Sequence, residues 1–116
     1  MNDTQKTLAP GDFRELTELH DMASQACELL KAMANEWRLI ILCQLSEGEK
    51  TVSELQSLLG LSQSALSQHL AVLRREKIVS ARKEAQSVFY SLAGEEATKV
   101  MDTLHDVFCG AQKPKD

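Results

Sequence analysis

Nowhere in the 116 residues do the roughly 18 consecutive apolar side chains needed to cross a bilayer occur. The first ten residues, Met1 to Pro10, are polar where a secretory signal would be apolar. A cytoplasmic protein with no membrane partner is therefore expected. Cysteine is scarce: Cys27, Cys43 and Cys109 are odd in number and widely spaced, which excludes a secreted disulfide framework and a Cys-x-x-Cys metal or redox motif. Positive charge is in deficit too, with 13 Lys and Arg against 17 Asp and Glu and a formal net charge of -4, so the chain is not a uniformly basic nucleic-acid coat. It contains no internal repeat, no low-complexity segment and no dividing linker. A chain of this length buries roughly two-thirds of its unfolded surface, enough for one domain without disulfide staples, so the cysteines begin as free thiols.

The net charge conceals a division along the chain. Residues 1–30 carry two basic and six acidic side chains, whereas residues 61–92 carry five and two. Arg74, Arg75, Lys77, Arg82 and Lys83 make one local basic patch on an acidic molecule. Charge alone leaves open whether this is a solvated face or a binding surface.

Apolar residues at Phe13, Leu16, Leu19, Ala23, Ala26, Cys27 and Leu30 recur every three or four positions, which predicts a helix from Asp12, its cap, to about Ala32. Asn35 caps a second helix whose Trp37, Leu39, Ile40, Ile41, Leu42, Cys43 and Leu45 leave almost no polar face, so it is expected to be central and buried. After a turn at Glu47-Gly48-Glu49, the run Thr51-Val52-Ser53-Glu54 has the form of a capping box and opens a short helix to about Leu59. Gly60 supplies a residue able to adopt positive φ, Leu61 an apolar plug and Ser62 the next cap. The fourth helix, Gln63 to about Glu76, carries Leu66, Leu70 and Leu73 on one stripe. Ile78, Val79, Val88, Phe89, Tyr90 and Leu92 flank the polar stretch Arg82 to Ser87 as a two-stranded hairpin. Glu95 to Cys109 closes the domain as an amphipathic helix stopped by Gly110. The expected class is mainly α with a small β-hairpin. Residues 1–11 are expected to be a flexible arm, 12–109 the domain, and 110–116 a disordered tail.

A helix, a tight turn and a helix expose the second helix so that its N-terminal residues reach base edges in the major groove. Ser62, Gln63, Ser64, Ser67 and Gln68 suit that task chemically: Gln pairs with adenine through two hydrogen bonds, Ser lets the backbone approach, and helix N-terminal amides attract phosphate. Such residues are also ordinary on any exposed helix. Arg74 lies on the same helix, and the basic hairpin that follows favours DNA, because its Arg82, Lys83 and Gln86 can lie along the backbone or in the minor groove. His69 reads as a packing residue or a phosphate neighbour.

The runs Ala34-Asn35-Glu36-Trp37-Arg38-Leu39-Ile40-Ile41-Leu42 and Leu61-Ser62-Gln63-Ser64-Ala65-Leu66-Ser67-Gln68-His69-Leu70-Ala71-Val72-Leu73-Arg74 resemble the ArsR-type winged-helix repressors, as do Arg82-Lys83-Glu84-Ala85-Gln86 at the wing and Val88-Phe89-Tyr90-Ser91-Leu92 on the returning strand. The resemblance spans roughly residues 12–109. It implies a winged helix-turn-helix, a homodimer joined through its first and last helices, and repression by occupying an imperfect palindrome of double-stranded DNA over a promoter.

Many members of that family sense metals, but the third helix, Val52 to Leu59, lacks the Cys-x-Cys pattern of their thiolate sites. Asp102, His105 and Asp106 offer metal-binding chemistry at helical spacing, without the further His and carboxylate that the family's last-helix sites use. No metal and no cofactor are expected. Cys43 late in the second helix and Cys109 at the end of the last resemble instead the branch of the family that responds to reactive sulfur species. The resemblance implies that persulfide or polysulfide links these two thiols within a subunit, through a disulfide or a longer sulfur bridge, and lowers DNA affinity. A direct disulfide requires Cα atoms within about 7 Å, and each inserted sulfur relaxes that limit by about 2 Å. Cys27 reads as a packing residue. Response to a metal or a general oxidant is the alternative. A thiol enzyme is not expected, since His20, His69 and His105 are scattered and no acid or base is evidently oriented beside a thiol.

Overall fold

Three of the helix starts are built by the side chains that the sequence places there. The computed structural model describes residues 13–110, giving α1 (Phe13–Met33), α2 (Glu36–Ser46), β1 (Lys50–Thr51), α3 (Val52–Leu59), α4 (Gln63–Arg75), β2 (Val79–Glu84), β3 (Ser87–Leu92) and α5 (Glu95–Phe108). The Asn35 Oδ1 accepts from the Arg38 amide at 3.0 Å and opens α2. At α3 the capping box is complete: Thr51 Oγ1 accepts from the Glu54 amide at 3.0 Å, and Glu54 Oε1 accepts from the Thr51 amide at 2.8 Å. Ser62 Oγ accepts from the Ala65 amide at 3.1 Å and opens α4. Each bond satisfies an amide that the first turn of a helix leaves without an internal partner. The expected cap of α1, Asp12, and the expected arm and most of the tail lie outside the described residues.

The core gathers from every helix. Ile41 and Leu42 of α2, Leu55 of α3, Leu66, Leu70 and Leu73 of α4, and Ile78 are almost completely buried, with Ala32 and Met33 of α1, Leu45 of α2, Val79 of β2, and Ala97 and Met101 of α5 around them. Gly60 ends α3 with φ of 72°, in the left-handed region where a Cβ is strained, and its amide donates to the Gln56 carbonyl. This turn lets α3 and α4 share one core.

The sheet holds a strand that sequence reasoning missed. Its order is β1-β3-β2, all antiparallel, with Lys50 opposite Tyr90 and Thr51 opposite Phe89 on one side of β3, and Val79 to Glu84 opposite Leu92 to Ser87 on the other. A two-residue strand has no detectable period, and the capping signal at Thr51 draws attention to the helix instead. The hairpin is also tighter than expected, with Arg82, Lys83 and Glu84 inside β2 and the turn confined to Ala85 and Gln86.

Two expectations about burial need correction. In α2, Trp37, Ile40 and Cys43 are exposed, because a single chain covers only the face bearing Ile41, Leu42 and Leu45. Cys27 of α1 is exposed rather than packed, and the same helix leaves Leu16, Leu19, Met22 and Leu30 open. Both faces are apolar by composition, which is why their periodicity reads as core.

Leu66 sits at the centre of the shared core with no solvent exposure. Leu66→Ala should cost about 2–5 kcal/mol of stability through lost burial and the cavity left behind, measured by urea unfolding.

Candidate nucleic-acid interface and thiol groove

The buried stripe of α4 fixes which of its residues face outward. With Leu66, Leu70 and Leu73 inside, Gln63, Ser64, Ser67, Gln68 and Arg74 are exposed, and Ser62 is exposed at the cap. The structure thus brings five of the candidate recognition residues, Ser62 to Ser64 with Ser67 and Gln68, onto the first turns of one helix. Arg74 lies at the other end beside Arg75, where two cations suit the C-terminus of the helix dipole. Between α3, α4 and β3 a hollow of about 370 Å³ is lined by Val52, Ser67, Ala71, Arg74 and Tyr90, among others.

His69 is half-buried and turned to another task. Arg38 of α2 donates from Nε to the Ala32 carbonyl at 2.6 Å, and its Nη1 lies 3.4 Å from His69 Nδ1. A guanidinium can only donate, so this contact assigns Nδ1 as the acceptor and the ring proton to Nε2. Burial, and secondarily the Arg38 charge, hold the imidazole below its ordinary pKa. His69 therefore ties the recognition helix to α2 as a neutral ring. Sequence spacing gives no sign of this pair, whose members are 31 residues apart.

Arg82 is not the free cation that its position suggests. Its Nε and Nη2 donate to the two carboxylate oxygens of Glu49 at 2.7 and 2.9 Å, and Nη1 donates to Glu84 at 2.7 Å. The guanidinium also lies over the Phe89 ring, 4.5 Å from its centroid. Donation from Arg82 holds the Glu49 carboxyl below its ordinary range and raises the already high pKa of the guanidinium. Lys83, opposite Val88 in the hairpin, is exposed and, among the described residues, forms no ion pair with an acid; Gln86 is exposed in the turn. Glu49 was not legible as a site residue, because it meets Arg82 only once three strands assemble.

A second site lies between α2 and α5. A groove of about 650 Å³ is lined by Leu39, Cys43, Glu47, Met101, His105 and Cys109, with Asp102, Leu104 and Phe108 beside them. Both thiols keep an exposed face. Partial burial of the sulfur pushes Cys43 above its ordinary pKa, and the neighbouring Cys109 and Glu47 push it in the same direction. Cys27, on α1, is absent from the groove lining. Asp102 and His105 share the groove, yet among the described residues no three of His, Cys, Asp and Glu come together as a metal ion would require.

Residues 35–81, which hold α2 to the start of the wing, match the model of the bacterial regulatory proteins of the arsR family. The transcriptional activator HlyU of Vibrio cholerae is 53% identical over 98 residues, covering 84% of this chain and 91% of that protein. The chain belongs to the arsR family. The biofilm growth-associated repressor of Agrobacterium fabrum is 38% identical over 109 residues, covering 94% of this chain and 92% of the other. Reduced HlyU from Vibrio cholerae superimposes with a TM-score of 0.77 at 54% identity, over 79% of this chain and 97% of that structure. This arsR-family chain is accordingly a DNA-binding transcriptional regulator with a winged helix fold, and not an enzyme.

The depressed pKa of His69 gives a pH signature. An unfolded imidazole takes up its proton near pH 6.5 and the folded one only below that, so the unfolded state binds more protons in between. Stability should be intact above about pH 6.5 and fall as the pH drops towards the folded value. Denaturant unfolding at pH 7.5 and 5.5 checks this, with His69→Asn expected to flatten the dependence.

Proposed function

We propose that the protein is a dimeric repressor that leaves its operator when reactive sulfur species join Cys43 to Cys109 within a subunit. The observation that carries this reading is the shared groove: two thiols from helices far apart in sequence line one hollow, each with an exposed face. The chemistry balances without a metal. An organic persulfide transfers its outer sulfur to one thiol, leaving a cysteine persulfide and the donor's thiol. The second thiolate then attacks the sulfur nearest Cβ and expels hydrosulfide, forming a disulfide. When both cysteines are persulfidated first, the outer sulfur of one attacks the inner sulfur of the other, and a three-sulfur bridge forms with loss of one hydrosulfide.

DNA is held by the outer face of α4 and by the wing. Gln63 and Gln68 read base edges in the major groove, Ser62, Ser64 and Ser67 admit the backbone, and Arg74, Lys83 and Gln86 meet phosphates or the minor groove. The second chain covers α1 and the end of α5, where Leu16, Leu19, Met22, Leu30, Val107 and Phe108 are otherwise exposed apolar side chains. A two-fold pair suits an imperfect palindrome whose half-sites lie about 34 Å apart. Because α5 contributes both to that interface and to the thiol groove, a bridge to α2 alters the spacing of the two recognition helices. A 100-fold loss of affinity requires about 2.7 kcal/mol of such coupling. Occupying a promoter excludes whatever else would bind there, so repression is the direct outcome, and the protein acts in the cytoplasm with the DNA.

Gln63→Ala and Gln68→Ala should each lose about 1–3 kcal/mol of discrimination at particular base pairs, measured by operator titration against single-base variants. Unchanged discrimination in both would remove α4 from the interface. After exposure to sodium tetrasulfide, intact-mass measurement should show Cys43 and Cys109 linked in the sample that has lost operator binding. Release of DNA by a Cys43→Ser protein under the same treatment would overturn the sensing mechanism.

A further inference from the structure

The wing carries a cluster that the DNA-binding reading does not use as such: Arg82 with Glu49, Glu84 and the face of Phe89. Its geometry follows the sheet register. Arg82 of β2 stands opposite Phe89 of the central strand β3, and Phe89 stands opposite Thr51 of β1. Glu49 immediately precedes β1. The guanidinium therefore reaches from one edge of the sheet, over the central strand, to the chain just outside the other edge. That chain leads directly into the capping box of α3 and so into the helix-turn-helix.

Three donor hydrogens are committed, two of them in a bidentate pair whose planar fork leaves the carboxylate little freedom. A single exposed ion pair contributes little to stability, but paired hydrogen bonds and ring stacking make this cluster a geometric constraint. Charge points the same way. Arg82 with two carboxylates amounts to a net negative group, so the cluster by itself repels a phosphate. From these observations we infer that Glu49 and Arg82 are positioning residues for DNA binding: they clamp the wing to the helix-turn-helix in advance and make no phosphate contact of their own. This rests on the reading that the wing touches DNA. A wing ordered beforehand avoids the conformational cost of fixing it at the moment of association. An acidic side chain, Glu49, thereby raises the affinity of the protein for a polyanion.

The test is a double-mutant cycle read by operator affinity across a salt series. The expected result is that Glu49→Ala and Arg82→Ala each weaken binding about 3- to 10-fold, and that the double variant is no weaker than the poorer single one. The double variant, which keeps the parent's net charge, should also keep the parent's salt slope. Faster amide exchange at Ala85 to Ser87 in Glu49→Ala should accompany the loss, and none of the four residues belongs to the buried core, so the thermal midpoint should hold. Tighter or unchanged binding by Glu49→Ala overturns the inference, as do additive losses with an Arg82→Ala slope shallower by about one unit, the mark of a phosphate contact. Lys83→Ala separates the two levels of the argument. A slope reduced by about 0.9 in that variant upholds the wing as part of the interface whatever the cycle shows, and no change in it removes both the wing and the clamp.

Discussion

The buried stripe of Leu66, Leu70 and Leu73 on α4 is the constraint on which the rest of the structure depends. An α-helix presents neighbours at every third and fourth residue, so fixing these three inside leaves Gln63, Ser64, Ser67 and Gln68 no choice but the outer surface. The same stripe is why α3 and α4 require a left-handed glycine between them: without the turn at Gly60, the Leu55 side of α3 and the stripe of α4 could not meet one core. Recognition chemistry is in this sense a by-product of packing. The outer surface of α4 is held in place because the stripe on its reverse side is buried.

Helix α2 links that surface to the thiol groove. Its Ile41, Leu42 and Leu45 enter the core, Arg38 at its beginning reaches His69 of α4, and Cys43 near its end lines the groove shared with α5. The three functions occupy different faces or ends of an 11-residue helix. This explains why its composition is apolar nearly all round, a pattern that reads in sequence as a fully buried segment. Only some of those side chains are covered by this chain. Trp37, Ile40 and Cys43 remain open, and hydrophobicity alone does not distinguish a face that packs within a chain from one left outside it.

Legibility in the sequence followed the range of the interactions involved. The caps at Asn35, Thr51 and Ser62, the glycine turn and the stripe of α4 are set by residues within a few positions of each other, and all were readable. The strand β1, the Arg38 contact with His69 and the Glu49 clamp on Arg82 join positions more than 30 residues apart, and no local spacing encodes them. The basic patch is the instructive mixture. Counting charges picks out the segment, but its members differ: among the described residues no ion pair joins Arg74 or Lys83 to an acid, whereas Arg82 is held by two carboxylates.

That difference bears on how an acidic protein binds DNA. Long-range attraction depends on the net field, and a chain of charge -4 supplies little of it. Affinity must then come from a few cations placed at short range and from surfaces that need no rearrangement on contact. An arginine committed to orienting the wing serves the second requirement at the expense of the first, since its charge is cancelled within the protein. The arrangement is sensible when the wing is short: with only Ala85 and Gln86 in the turn and φ of 58° at Ala85, in the left-handed region a non-glycine residue seldom adopts, the strands need an external hold to keep Lys83 in place. Glu49 provides that hold from the segment that also starts α3, so the wing and the recognition helix are referred to the same point of the backbone.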